Sequence, residues 1–363
     1  MAFATVDFIK KIPKVELHLH IEGTLTPQLR FKLAQKHQIP QKWATATEAV
    51  EDYRASFDKM LRKQKEGGSL TFFDLYYGAM EVLRTEEDYY ELAMGYFAKA
   101  VEMNVRYSEM FFDPQAHTRR GLDLDTVMKG LRRAQLDAQE KLGFHCNWIM
   151  CFLRDESPES AMETYEAALK YRDMIHGIGL DSLEDGRPPS LFNDVYKRAK
   201  ADGFHLTAHC DVDARDTHKH IHYCLTELAG DGIRRIDHGL NAVEQPELLE
   251  MLKTTNTGLT CCLWGAYGYL FQADGEQRLF RDMLRRLFDY GILVTINSDD
   301  PACHGMNYVE DNLILVADKC GFTAADIVKL QQNAVQISWA PEGLKESILK
   351  EIQVVAAQAM QAA

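Results

Sequence analysis

Lys14-Val15-Glu16-Leu17-His18-Leu19-His20 is the stretch on which the fold turns. In an extended strand successive side chains alternate faces, so His18 and His20 point the same way while Val15, Leu17 and Leu19 fill the other side. A glycine-containing exit follows, Ile21-Glu22-Gly23-Thr24. Two imidazoles on one face at a strand's C-terminal end make half of a metal site. Two ordinary histidines on a half-buried strand would give the same pattern, so the choice rests on the rest of the chain.

Working outward, Pro27 to Lys36 has a helix start and helical apolar spacing. Residues 41–67 are polar and are expected to form an insertion after the first strand. Residues 69–103 carry long helical patterns with Phe72, Phe73, Leu75, Tyr76, Tyr77, Met80 and Leu83, an aromatic stripe that suits either core packing or a pocket wall. A regular alternation then sets in. β-prone runs at Val105–Phe112, Cys146–Leu153, Ile175–Leu180, His205–Cys210, Arg235–Leu240, Gly258–Leu263 and Leu293–Asn297 are separated by helical patterns near 123–142, 157–172, 190–202, 217–229, 245–256 and 277–290. With the first strand this predicts eight strands alternating with helices, an α/β fold closed into a (β/α)8 TIM barrel. Extra helices are expected after strand 1 and over residues 306–363. No linker divides the chain, and residues 1–363 are expected to form one metal-dependent hydrolase domain. A doubly wound open sheet lacks support: no GxGxxG follows the first strand and no GxxxxGK[ST] occurs.

Composition narrows the function classes. The chain has 363 residues, 46% of them apolar, enough for a large core. A net charge of -13 without any basic block argues against nucleic acid as a main partner and suits a small neutral or cationic substrate better. The eight cysteines sit mostly in apolar runs with no CxxC pair, as expected of reduced core thiols in a cytoplasmic protein. The N-terminus lacks a basic region followed by an apolar run, and no apolar run reaches the roughly 20 residues of a membrane helix. No membrane partner is expected, and a homo-oligomer is compatible with the composition.

In such a barrel the active residues stand at the C-terminal ends of the strands. Those ends carry His18 and His20, Asp113, Arg154 and Asp155, Asp181, His209 with Asp211 and Asp213, Asp237 with His238, and Asp299 with Asp300. Three histidines and an aspartate there can close a zinc-like shell around a water and lower its pKa towards neutrality. His238, one strand further round, suits a group that orients the water and takes its proton.

Here the chain resembles the adenosine/adenine deaminase family of the amidohydrolase superfamily over most of its length. The resemblance rests on Val15 to Leu25, Gly179-Leu180-Asp181-Ser182, Ala208-His209, Ile236-Asp237-His238-Gly239 and Asn297-Ser298-Asp299-Asp300-Pro301-Ala302. Ile21-Glu22-Gly23-Thr24-Leu25 and Phe111-Phe112-Asp113-Pro114-Gln115 resemble the branch that acts on free adenine. The resemblance implies that His18, His20, His209 and Asp299 hold one zinc ion, that His238 partners the hydroxide, and that Asp300 hydrogen-bonds the purine ring. It implies hydrolytic deamination, in which hydroxide attacks the ring carbon bearing the amine and ammonia leaves. Asp181 joins the substrate side on the same grounds.

Two departures concern that substrate side. The family follows its strand-5 histidine with Ala-Gly-Glu, whose glutamate protonates a ring nitrogen. This chain reads His209-Cys210-Asp211-Val212-Asp213, with valine at the glutamate position. General acid catalysis is worth about 10²–10⁴ in rate, so the change matters. Either Asp211 or Asp213 takes the task through a shifted backbone, or Asp211 assists the metal shell while Asp213 caps the next helix. On strand 7 the family's Cys-Pro-x-Ser-Asn becomes Cys262-Leu263-Trp264-Gly265-Ala266-Tyr267-Gly268-Tyr269. Trp264, Tyr267 and Tyr269 suit stacking on a flat substrate and equally suit covering the barrel rim.

The remaining candidates are plainer. His218 and His222 share a helix face, which suits a solvated face better than a metal clip. Cys210 turns away from His209 into packing. The H-x-E and P-C-x-x-C deaminase signature of a different zinc fold is absent. Three readings follow: a zinc-dependent deaminase of an adenine-like purine, a metal-dependent amidohydrolase acting on a non-adenine substrate because Val212 replaces the acid, and a silent barrel that only binds a purine-like ligand or a partner protein.

Overall fold

The structure is a computed structural model, and it describes residues 4–65, 72–210, 218–263 and 276–362. Its strands run in the expected order: β1 (Lys14–Glu16), β2 (Val105–Phe112), β3 (His145–Leu153), β4 (Ile175–Asp181), β5 (His205–Leu206), β6 (His209–Cys210), β7 (Arg235–His238), β8 (Gly258–Cys262) and β9 (Leu293–Asn297). All ladder pairs are parallel: β1 to β5 form one run and β6 to β9 the other. β5 and β6 are two parts of the fifth barrel strand. They are separated at Thr207-Ala208, where the Thr207 amide still donates to Ile178 O (3.0 Å) and Asp237 N to Ala208 O (2.9 Å).

The wheel closes through the opening stretch. Regular pairing of β1 ends at Glu16, shorter than the expected Lys14–His20, yet the chain beyond it stays between its neighbours. Asp299 N donates to His18 O (3.1 Å), His20 N to Asp299 O (3.0 Å) and Ile21 N to Phe111 O (3.0 Å). Leu17 N is bound by the Asn297 side chain instead of a carbonyl (2.8 Å), which breaks the ladder while satisfying the donor. His18 and His20 therefore sit where the last strand meets the first.

Helices cover the outside. Thr26 caps Pro27–Lys36 by accepting from Leu29 N (3.2 Å), with proline in the first turn. The polar insertion contains a helix, Ala46–Lys65, and the aromatic stripe forms Phe72–Ala79 and then Glu86–Glu102. Leu124–Leu142 stops at Gly143, whose φ of 64° is the left-handed ending that glycine adopts without strain. The C-terminal region is helical over Val309–Lys319, Ala324–Ile337 and Glu342–Ala362. A short N-terminal helix, Val6–Lys11, was not expected from the sequence.

The buried apolar residues form one main cluster from Phe8 to Ile352, packed between strands and helices. The N-terminal mouth of the barrel is plugged by Trp339. Its ring lies over the Arg235 guanidinium (3.6 Å) and stacks on His205 (4.7 Å between ring centres), and Arg235 pairs with buried Glu109. Among the described residues no helix is long and apolar enough to cross a membrane.

Candidate metal centre and active site

Five side chains from four places in the chain converge at the C-terminal mouth. His18 and His20 leave the first strand, His209 lies in β6, His238 ends β7, and Asp299 follows β9. All five are buried. His238 and Asp299 are held at φ of 63° and 64°, a left-handed backbone that non-glycine residues rarely adopt. Strain of this kind persists where the surroundings fix it and gathers at functional sites.

The distances are short. His20 Nε2 lies 3.1 Å from His209 Nε2, His18 Nε2 3.3 Å from Asp299 Oδ1, and His20 Nε2 3.6 Å from the same oxygen. His238 Nε2 lies 4.0 Å from Asp299 Oδ2. One ligand atom each from His18, His209, His238 and Asp299 falls within 4.8 Å of all the others, and His20 groups in the same way with Asp299 and Asp300.

The outer nitrogens settle what the inner ones offer. His18 Nδ1 faces the Thr260 carbonyl (3.1 Å), a group that can only accept, so Nδ1 carries the proton. His18 Nε2 is then a buried lone pair with no donor. His20 Nδ1 faces Asp181 Oδ2 (3.5 Å) and His209 Nδ1 faces Asp237 Oδ2 (3.4 Å), carboxylates that fix the same tautomer. Two Nε2 lone pairs at 3.1 Å with a carboxylate beside them repel one another unless a cation lies between. Three imidazole nitrogens and one carboxylate are the donor set of a divalent metal of the zinc type, and the residues fit such an ion.

A supporting layer stands behind them. Asp237 accepts at Oδ1 from the Thr207 hydroxyl (2.7 Å) and the Thr260 hydroxyl (2.8 Å). Burial opposes its charge, but the hydrogen bond and charge of His209 more than offset that and hold Asp237 well below the usual carboxylate range. Asp299 behaves alike: burial opposes its charge, and its contacts with His18 and His238 hold it low. Burial pushes the His238 imidazole down to about 3, helped by His18, so the ring stands neutral. Arg154 is fully buried; it donates to the His209 carbonyl (3.0 Å) and lies 3.6 Å from Glu184, which also meets His220 (2.7 Å).

The adjoining wall is acidic and aromatic. Asp300 is buried next to Asp299 and is pushed well above the usual carboxyl range, first by burial and then by Asp299. Gly23 makes room for it: a Cβ there would stand 2.7 Å from Asp300 Cα. Asp181 is raised to about 6, and Asp113 is raised by burial and by Asp181 and Glu22. Glu22 accepts from His117 Nε2 (2.9 Å) and Asp113 N (3.1 Å). Tyr76 stands 6.3 Å from His20 ring to ring and is stacked on by Phe72. The aromatic stripe thus does both things expected of it, packing into the core and walling the site.

Most of the expected site residues therefore meet: His18, His20, His209, His238, Asp299, Asp300 and Asp181. Asp155 turns away towards Arg119 (3.8 Å) at the surface. Asp211, Val212, Asp213, Trp264, Tyr267 and Tyr269 lie outside the described residues. His218 pairs with Glu244 (3.0 Å), and no metal-binding group of three or more includes it among the described residues. All eight cysteines are free, and Cys210 packs 3.6 Å from Cys224. Thr207, Thr260 and the Glu22–His117 pair were not singled out from the sequence. The signal available for the threonines was a hydroxyl at an otherwise apolar strand position.

A closed parallel barrel with a metal-ligand cluster at its C-terminal mouth is that of a metal-dependent hydrolase. The chain belongs to the adenosine deaminase family, whose model matches residues 13–355. It is 40% identical over 351 residues to the adenine deaminase of Psychrobacter cryohalolentis, covering 96% of this chain and 98% of that one. The crystal structure of an adenine deaminase from Arthrobacter aurescens superposes with a TM-score of 0.83 at 34% identity, over 94% of this chain and 98% of that one. An amidohydrolase from Burkholderia ambifaria with bound zinc shares the fold, with a TM-score of 0.85 at 23% identity over 100% and 97% of the two chains.

Proposed function

We propose that this chain is a single-domain hydrolytic deaminase of adenine-like purines that uses one zinc ion. The observation that carries the reading is the meeting of three imidazole Nε2 atoms with the Asp299 carboxylate. Relatives named adenine deaminases, one of them 40% identical over nearly the whole chain, support adenine as the base.

His18, His20, His209 and Asp299 would hold the ion, which when bound lowers the pKa of water towards neutrality. The chain's own residues do the rest. His238, whose Nε2 lies 4.0 Å from Asp299 Oδ2 beside the ligand cluster, accepts the proton of the attacking water. Asp300, buried and raised, donates or accepts a hydrogen bond at the purine ring and fixes its orientation. Asp181 holds the His20 ring in place. The water oxygen adds to the ring carbon bearing the amine, that C–N bond breaks, and ammonia leaves with the returned proton.

Replacement of His238 by Ala is expected to lower kcat by 10²-fold or more with zinc content unchanged. Ammonia release and metal analysis on the same preparation check it, and full activity would remove His238 from this role.

A second reading, a different aminated heterocycle or an amide, is favoured by Val212 at the position of the family's glutamate. Ammonia release across aminopurines, aminopterins and aminopyrimidines separates the two. Val212→Glu is the sharper test: a gain of adenine deamination supports the second reading, and an unchanged or lower rate supports Asp211 or Asp213 as the proton carrier.

A further inference from the structure

The metal ligands meet at the seam where the last strand joins the first, and the joint just before them is not an ordinary ladder. Two side chains reach across it in opposite directions. Asn297 Oδ1, at the end of β9, accepts from Leu17 N (2.8 Å), and Glu16 Oε1, at the end of β1, accepts from Ser298 N (3.0 Å). Each backbone donor left over by the broken ladder is thus taken by a side chain of the opposite strand. Backbone pairing resumes one residue further on, where Asp299 N donates to His18 O (3.1 Å) and His20 N to Asp299 O (3.0 Å).

Glu16 is the busier half of this clasp. It is fully buried, and three donors converge on it. Its Oε1 also accepts from the Ser298 hydroxyl, and its Oε2 accepts from the Tyr96 hydroxyl (2.6 Å). Tyr96, in the helix Glu86–Glu102, also meets Ser108 Oγ on β2 (2.8 Å). One carboxylate therefore grips Ser298 at two atoms and is itself anchored to a helix and to the second strand.

What it grips matters because of the next residue. Asp299 stands at φ of 64°, a backbone conformation that costs about 1–3 kcal/mol and persists only where the surroundings over-determine it. Its amide and carbonyl are bonded to His18 and His20, so a shift at Ser298 moves the carboxylate against both histidines. The clasp also pins the register of the seam, and a slip of one residue would turn His18 and His20 to the other face.

We infer that Glu16 is a positioning residue of the metal centre. It holds Ser298, and through it the strained Asp299, where the carboxylate meets His18 and His20. The inference rests on the metal reading above and adds to it a residue outside the ligand set. Reach rather than charge carries the role. Glutamine at this position keeps the length, offers its amide oxygen to Ser298 and its N–H to the Tyr96 oxygen, and leaves the Tyr96 hydroxyl to donate to Ser108.

Zinc affinity of the folded full chain, set against a graded series of chelators, tests it alongside urea unfolding. Glu16→Met removes both acceptors and is expected to weaken zinc binding about tenfold or more. Glu16→Asp keeps the charge but cannot span Ser298 and Tyr96, and is expected to weaken it as well. Glu16→Gln is expected to match the natural chain. Tyr96→Phe loosens only Oε2, and is expected to lower the urea midpoint with zinc affinity unchanged. Should Glu16→Met fail to fold, Glu16→Asp is read by the same criterion. Zinc held by both of these variants as tightly as by the natural chain overturns the proposal. So does an equal loss in Glu16→Gln, which would make the charge decisive, or in Tyr96→Phe, which would make the effect a general loosening. A natural chain that holds no zinc fails the metal reading itself, whereas variants that lose stability alone fail only this inference.

Discussion

Asp237 shows how much one residue behind the site decides. Thr207 and Thr260 occupy its Oδ1, which leaves Oδ2 for His209 Nδ1 at 3.4 Å. That contact keeps the His209 proton on Nδ1 and its Nε2 free for a metal. Asp237→Asn keeps the shape but presents an N–H where the carboxylate stood, because the threonine donors hold the remaining oxygen. The proton of His209 is then driven to Nε2. Metal affinity is expected to fall about 10–100-fold, read as zinc retained after dialysis against a graded chelator; unchanged retention would leave Asp237 a packing residue. At this scale the histidines and Asp299 that converge at the barrel mouth were legible because metal chemistry restricts residue type and the strand ends restrict place. The threonine hydroxyls were not, because a threonine in a strand is ordinary and only the fold shows that two of them meet one carboxylate.

The strands and helices were read from periodicity, and the parallel order followed from their alternation. Departures came where a side chain replaces a backbone partner. Regular pairing of the first strand ends at Glu16 because Asn297 takes the Leu17 amide. The fifth strand divides at Thr207-Ala208. No period reports such exchanges. Nor does one report the plug, which depends on residue size. A Cβ on Gly177 would lie 2.9 Å from Trp339 Cη2 and closer still to Cζ3, so β4 passes under the ring only as glycine. Gly177→Ala is expected to cost about 1–3 kcal/mol by overpacking and to leave zinc binding intact, since the plug lies at the other end of the barrel. In Trp339→Ala the same change is expected to cost less, because the space is already open. Urea unfolding of the four proteins in this cycle measures the coupling, and strict additivity would show that the ring yields freely.

Across the whole molecule, the closed barrel joins the two ends of the chain, and Lys14 sits at that join. It is fully buried at the start of β1, and its ammonium donates to the carbonyls of Met103 (2.8 Å), Ile12 (3.2 Å) and Lys10 (3.3 Å) and lies 3.7 Å from Glu310. It therefore ties the N-terminal helix, the turn before β2 and the helix Val309–Lys319 to the first strand. Burial pushes its pKa down from 10.5 to about 8, with Glu310 opposing the shift. Between those pH values the unfolded chain holds a proton that the folded chain has released, so this group makes stability rise with pH across the window. Below pH 8 both states are protonated and the folded state carries the whole desolvation cost, about 3 kcal/mol for the full shift. The net charge of -13 works the other way, since further deprotonation adds self-repulsion. Comparison with Lys14→Met, which shares that background, isolates the lysine. The stability of the natural chain relative to Lys14→Met is expected to improve by up to about 3 kcal/mol from pH 8 to 10.5, measured by urea unfolding at each pH. A difference that stays flat, or falls, over that range would mean that the three carbonyls and Glu310 compensate the ammonium for its lost water.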